Sequence, residues 1–397
     1  MIENYVLDWL SLFFRWFHFI AGVAWIGASF YFIWLDNNLR EPPQWKQDKG
    51  IKGDLWAIHG GGIYEVAKYR LAPESMPPHL HWFKWEAYTT WLTGFTLLWI
   101  VYYLGADRYL LKEGSPFTTP TEATLAGLGL LAGGLAVYEV AIRTPLRKNG
   151  WAFAGFLLVL LTTASLLADA WFAPRGAFMH VGALIGTIMV GNVLLGIMPA
   201  QRELVKAITE GREPDPAPAL LAKLRSTHNN YLTLPVLFIM ISNHYPQIYG
   251  HPLSALWLMA IGATAAFARH FFNLRHRGVV RPSILILAAV LLGMIAVAMA
   301  PARPAGEEGL SDTAALALVQ QRCATCHADN PTDPLFTAPP AGLRLNSLAA
   351  LEAAGPGRLL QVIQSGYMPL ANRSGMQDDE RQQLLAWLAA RAARNSP

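Results

Sequence analysis

Through its first 300 residues the chain alternates long apolar runs with short polar loops, and after Ala300 the long runs stop. A bilayer core about 30 Å thick needs about 20 mostly apolar residues per helical span. Eight stretches meet that requirement, at approximately 9–35, 85–105, 122–142, 151–172, 177–199, 229–245, 252–272 and 282–300. The third and fourth are rich in Gly, Ala and Leu, which suits close helix packing. The sixth is the shortest, bounded by His228 and His244 and interrupted by Pro235. Pro301, Pro304, Gly306 and Gly309 then form a linker to a remainder too polar to span a bilayer. The pattern predicts an all-α fold: a polytopic membrane bundle of about eight transmembrane helices over residues 1–305, then a small α-helical domain over 306–397.

Composition agrees. Charged residues make up 15% of the chain, where a soluble globular protein carries about 25%. The apolar share is 53% and the mean hydropathy +0.28. This excludes a disordered chain, a nucleic-acid partner and an ordinary soluble enzyme. Glu3 and Asp8 stand where a cleavable signal needs positive charge, so the first span reads as a retained helix. The last span ends Ala298-Met299-Ala300, like a cleavage site, but Pro301 would hinder the cut, so it too reads as an anchor.

Lys and Arg in short loops stay cytoplasmic. The odd loops are basic: Arg40, Lys46, Lys49, Lys52, Lys68 and Arg70 in the first; Arg143, Arg147 and Lys148 in the third. Arg202, Lys206, Arg212, Lys223 and Arg225 fill the fifth, and Arg275, Arg277 and Arg281 the seventh. The even loops carry only Arg108, Lys112 and Arg175. Both termini are therefore expected outside, in the periplasm of a bacterial inner membrane.

Cys323-Ala-Thr-Cys326-His327 is C-x-x-C-H, the attachment signature of haem c. Two cysteines three apart can each form a thioether with a haem vinyl, and the adjacent histidine then faces the iron. These are the chain's two cysteines, so a four-cysteine zinc site and a disulfide framework are excluded. The distal ligand is expected at Met368, before Pro369, with Met376 as the alternative. Helices at about Asp312–Arg322 and Asp378–Arg394, with Leu316, Val319, Leu384, Leu385 and Leu388 as core, would make this a class I-like cytochrome c domain. Haem c is attached outside the energy-transducing membrane, which agrees with the orientation from charge.

Ionisable groups inside a bilayer are costly and so invite a functional reading. His18 lies roughly 13 Å into the first span, at about 1.5 Å per residue, and His180 begins the fifth from the same side. Two readings stand: a haem b between the two imidazoles with Arg15 near a propionate, or histidines hydrogen-bonded to neighbouring helices. On the inner side, His228-Asn229-Asn230-Tyr231 opens span six and Arg269-His270 closes span seven. Tyr64, Lys68, His79, His81 and Glu86 lie in or just after the first loop. Such donors suit a polar, planar anion or a second haem, and interfacial snorkelling accounts for part of them. His59-Gly-Gly-Gly62 is similar to a hydrolase oxyanion loop, but no Gly-x-Ser-x-Gly elbow accompanies it. Glu139 and Arg143 are expected to pair along their own helix.

The runs Arg15-Trp-Phe-His-Phe-Ile-Ala-Gly-Val-Ala-Trp-Ile-Gly27, Ile58-His-Gly-Gly-Gly62, Leu80-His-Trp-Phe-Lys-Trp-Glu-Ala-Tyr-Thr-Thr-Trp91 and Thr227-His-Asn-Asn-Tyr231 resemble the membrane-bound bacterial urate hydroxylases. That family joins an eight-span domain to a C-terminal cytochrome c, and the resemblance covers essentially the whole chain. The first span is also similar to that of a small haem-binding membrane oxidase of protoporphyrinogen, whose first-span histidine ligates haem b. The resemblance implies oxidation of urate to 5-hydroxyisourate, with electrons leaving through haem c to a terminal oxidase or a soluble cytochrome. Candidates for catalysis are His59, Lys68, Glu86 and His228, with the general base sought among His59, His228 and Glu86. A quinol-oxidising electron-transfer subunit is the alternative, and a transporter with a redox sensor a further rival.

Overall fold

The computed structural model describes residues 2–275, 278–300, 310–334, 336–364 and 366–394. The linker residues Pro301, Pro304, Gly306 and Gly309, the boundary at 305/306, and Arg277 of the seventh loop lie outside the described residues. The fold is an all-α bundle: α1 (Ile2–Asn38), α2 (Trp85–Leu97), α3 (Pro120–Ala141), α4 (Gly150–Trp171) and α5 (Pro174–Gly191). A π-helical turn, Asn192–Ile197, carries α5 on into α6 (Met198–Thr209), followed by α7 (Pro216–Ser242), α8 (Ser254–Arg275) and α9 (Ser283–Ala298). Each of the eight expected stretches is helical. Five helical runs are long and apolar enough to cross a membrane: Tyr5–Asn38, Pro120–Ala141, Gly150–Trp171, Pro174–Thr209 and Ser254–Arg275. Of the other three, α9 is apolar but shorter, and α2 continues only as a π-helical turn to Tyr103. Helix α7 begins well before the expected residue 229 because Lys223 and Arg225 are helical rather than loop residues.

The run through α5 and α6 is the hub, with 67% of its apolar window buried against 11% for α1. Glycines let α3 and α5 approach: a Cβ on Gly134 would lie 2.5 Å from Leu184 Cδ1. Tyr138, Ile142, Phe153 and Ile188 fill the space between α3, α4 and α5. Helix α1 packs along α2 at the periphery and leaves Trp9, Phe13, Trp16 and Phe19 exposed. An exposed apolar face of that extent is matched by lipid, not water.

The loop between α1 and α2 is not irregular. It holds an antiparallel hairpin, β1 (Ile51–His59) paired with β2 (Gly62–Tyr69), with His59 opposite Gly62. Gly60 and Gly61 close it with φ of 57° and 79°, the two positive values that a tight type I′ turn requires.

The C-terminal part packs α10 (Asp312–Arg322), α11 (Leu348–Ala354), α12 (Pro356–Gln364) and α13 (Asp378–Arg394) around a separate core. Ser311 caps α10 by accepting from the Ala314 amide at 3.2 Å. Val319, Leu384, Leu385 and Leu388 are buried there as expected, while Leu316 is only partly covered. Arg322 clamps Glu380 through two bonds of 2.8 and 2.9 Å, tying α10 to α13.

Candidate functional site

His59 is exposed at the hairpin tip, so the His-Gly-Gly-Gly run is turn chemistry and not an oxyanion loop. Lys68 is likewise exposed and donates to Asp36 Oδ1 at 2.5 Å. Neither faces the bundle interior. The buried cation of this loop is Lys46, which bonds Asp54 and Glu65; these two hydrogen bonds hold its ammonium above the ordinary lysine range. Glu86 opens α2 half-buried, with Oε1 4.0 Å from His81 Nε2 and Oε2 buried without a partner. His228 is buried on α7, hydrogen-bonded to the Tyr138 hydroxyl at 2.8 Å and stacked on Phe153 at 4.6 Å. No hydrogen bond or ion pair among the described residues joins His59, Lys68, Glu86 and His228 into one site.

Around His228, the half of the bundle away from the even loops holds a polar network. Arg225 reaches from α7 to both carboxylate oxygens of Glu139 on α3, and also donates to Asn192 Oδ1 at 3.0 Å. Asn192 passes a bond of 2.8 Å to Asn229, which donates to the Met189 carbonyl at 2.9 Å. The expected Glu139–Arg143 pair exists at 3.3 Å, but its arginine is exposed and Arg225 is the buried partner. The π-helical turn brings Gly196 against Arg225, where a Cβ would sit 2.2 Å from Arg225 Cδ. A second buried arginine, Arg269 on α8, donates through Nε to Asn230 Oδ1 at 2.9 Å and lies 4.0 Å from the Phe30 ring. Tyr231 and His270 are hydrogen-bonded at 2.7 Å beside it.

At the other end lies His180. Its Nδ1 donates to the Gly176 carbonyl at 2.8 Å, so Nε2 accepts from the Tyr103 hydroxyl at 3.2 Å. Phe172 stacks on the ring at 4.5 Å, and α3 closes the remaining side: a Cβ on Gly127 would lie 2.4 Å from Nε2. Both ring nitrogens of His180 are engaged, one by its own helix and one by Tyr103, the arrangement of the hydrogen-bonded reading. His18 donates from Nδ1 to the Thr90 carbonyl at 2.9 Å, with Thr93 Oγ1 at 3.1 Å. Arg15 bonds Ser11 on its own helix. His18 is thus bonded through Nδ1, and His180 through both ring nitrogens.

The C-x-x-C-H segment fits haem c in its donor arrangement. His327 donates from Nδ1 to the Leu343 carbonyl at 3.1 Å, which fixes the tautomer and leaves the Nε2 lone pair for iron. Burial lowers its pKa, favouring the neutral imidazole that ligates metal. Burial pushes the Cys323 thiol up to about 12 and raises Cys326 as well, the opposite of an activated redox dithiol. Met368 is half-buried at the edge of the core, its carbonyl accepting from Arg381 at 2.8 Å. Met376 is buried as a core side chain, and its backbone is tied to Asn372.

The Met368 loop also meets the bundle. Tyr367 packs edge-on against Tyr249 of the sixth loop at 5.6 Å, and Arg108 of the second lies over Phe336. Between them is an open cavity of about 660 Å³, lined by Arg108, Lys112, Arg175, Tyr109, Tyr367 and Asn372. The C-terminal domain therefore sits at the end of the bundle that carries the even loops.

A family model described as Urate oxidase N-terminal matches residues 4–300, the whole of the bundle. The chain belongs to that family. Neither a curated protein nor a solved structure matches it. Membership makes the bundle an oxidoreductase domain of urate-related oxidation, and its apolar helices make it a membrane protein. Sequence reasoning had counted Arg225 as a loop charge and passed over Asn192. The signal was present: Arg225, His228 and Asn229 recur at helical spacing on one face.

Proposed function

We propose that this protein is a membrane-bound urate hydroxylase coupled to a cytochrome. Urate monoanion takes up one water, loses two electrons and releases one proton to give 5-hydroxyisourate. A haem c attached at Cys323 and Cys326, with His327 and Met368 as axial ligands, would accept the two electrons one at a time, in successive steps, and pass each on toward a terminal oxidase or soluble cytochrome. The observation that carries this reading is the union, on one chain, of a urate oxidase family domain with a docked domain bearing C-x-x-C-H. The even loops and the C-terminal domain share one end of the bundle, which supports a periplasmic placement of that end in a bacterial inner membrane. The chain's own groups then have distinct tasks. An inner-side arginine, without a carboxylate partner among the described residues, and its neighbouring amide bind and orient the anion. The surrounding aromatic and aliphatic side chains exclude bulk water, and Glu86 takes the proton of the attacking water.

Anaerobic mixing of the purified full-length protein with urate, followed at the reduced haem c α-band, is the direct test. Urate is expected to reduce the haem in the absence of oxygen and without peroxide. A band that stays silent with urate but responds to a quinol would replace this reading with quinol oxidation.

A further inference from the structure

Three cationic side chains are buried among the described residues: Lys46, Arg225 and Arg269. Lys46 is neutralised by Asp54 and Glu65, and Arg225 by Glu139. Arg269 is 5% exposed and has no carboxylate partner among the described residues. A guanidinium remains charged at any accessible pH, and burying an uncompensated charge within a bundle is strongly unfavourable. The Phe30 ring, 4.0 Å from Arg269 Cζ, offsets only part of that cost.

The unused donors define what is missing. Arg269 Nη2 and Asn230 Nδ2 are both buried without a hydrogen-bond partner. They belong to residues already locked together, because Arg269 Nε donates to Asn230 Oδ1 at 2.9 Å. That bond spends the only acceptor of the Asn230 amide on the arginine and leaves its nitrogen as a donor. A cation and an amide, tied to each other by that bond, therefore each keep an N–H group that no acceptor among the described residues meets, with an aromatic ring beside the cation. The complement is a flat anion with acceptor atoms along one edge.

We propose that Arg269 and Asn230 form the recognition site for a planar purine anion, which under the function proposed above is urate. Arg269 supplies the counter-charge and one hydrogen bond, and Asn230 supplies the second. The pair joins α7 to α8 at the inner end of the bundle, the end at which Glu86 opens α2. Arg225, held by Glu139, is left with a structural role.

The test uses the full-length protein with attached haem, measuring urate binding by equilibrium dialysis and turnover with an artificial acceptor. Arg269→Gln is expected to weaken urate binding about 100-fold, the loss typical of one partner of a buried charged hydrogen bond. Arg269→Lys restores the charge without the planar fork and should recover part of that loss. Asn230→Asp is the decisive variant, because it gives Arg269 an internal carboxylate. It should fold with unchanged or higher thermal stability, keep a haem that ascorbate reduces, and lose urate binding. A merely structural role for the pair predicts no such separation of stability from binding. An Asn230→Asp protein, folded by those criteria, that binds urate within twofold of the wild type overturns the proposal. Wild-type protein that neither binds nor oxidises urate overturns the functional reading on which it rests.

Discussion

Glu86 combines two features that rarely coincide in a side chain with only a structural task. One carboxylate oxygen is buried without a partner, and the other has only the exposed His81 imidazole 4.0 Å away. A buried acceptor left unpaired costs desolvation that nothing local returns, so it suits a group that accepts a proton during turnover. Glu86→Gln keeps the shape and removes the basicity. It is expected to lower kcat by about 100-fold or more, the usual contribution of a positioned base, with KM for urate changed far less. Steady-state kinetics with an artificial acceptor checks this, and an unchanged kcat would pass the role to His228. His59 and Lys68 were attractive in the sequence because a histidine beside glycines and a lysine in a basic loop resemble site chemistry. Their hairpin has its own local cause in two glycines, and it presents both residues to solvent. Arg269, by contrast, reads in the sequence as one of several donors suited to a planar anion or a second haem, and nothing there singles it out, because a missing counter-ion is a fact of three-dimensional neighbourhood.

Among the elements, the Met368 loop and helix α13 answer a question that spacing alone left open. Both methionines stand downstream of the C-x-x-C-H segment, and nothing in the sequence ranks their side chains by exposure. Packing separates them, since Met376 is enclosed by Leu384, Leu388 and their neighbours while Met368 stays half-buried on its loop. Met368→Leu should therefore retain covalent haem and lower its midpoint potential, because thioether ligation raises the potential of a histidine-ligated haem. Met376→Leu conserves core volume and should cost less than about 1.5 kcal/mol of stability with the potential unchanged. Redox titration and thermal unfolding of the two variants distinguish the roles, and the reverse pattern would assign Met376 as ligand. The cysteine motif was legible because its chemistry is local: two thiols and an imidazole on one turn. The spans were legible for a similar reason, since apolar length is written along the chain. The surroundings of His180 were not, because which groups meet its ring nitrogens depends partly on Tyr103 and Gly127, residues distant from it in sequence.

For the molecule as a whole, the proposed function asks how an oxidation within the bundle would communicate with the C-terminal domain docked at its end. The contact includes an edge-on tyrosine pair, a guanidinium over Phe336, and a cavity whose bundle side carries Arg108, Lys112 and Arg175. Arg108 Nε makes no hydrogen bond there and has Asp107 Oδ2 3.9 Å away, and Arg175 Nε donates to the neutral Asn243 Oδ1 at 3.1 Å. Such positive charge attracts a partner that presents acceptors, and it sets orientation more than affinity. The face opposite supplies Tyr367 and Asn372 from the Met368 loop, so orientation here fixes how the axial-ligand loop meets the bundle. Reversing two charges, Arg108→Glu with Arg175→Glu, should disturb that orientation while leaving the inner-side residues untouched. The double variant is expected to bind urate normally and to turn over normally with an artificial acceptor that bypasses the cytochrome. Its haem c should be reduced by urate at least tenfold more slowly, an effect of the size that roughly 1.4 kcal/mol of lost docking preference would give. Stopped-flow measurement of haem reduction, set beside artificial-acceptor turnover on the same preparation, reads both quantities. Equal slowing in the two assays would place the damage in the bundle, whereas slowing confined to the haem identifies this interface as the path of the electrons.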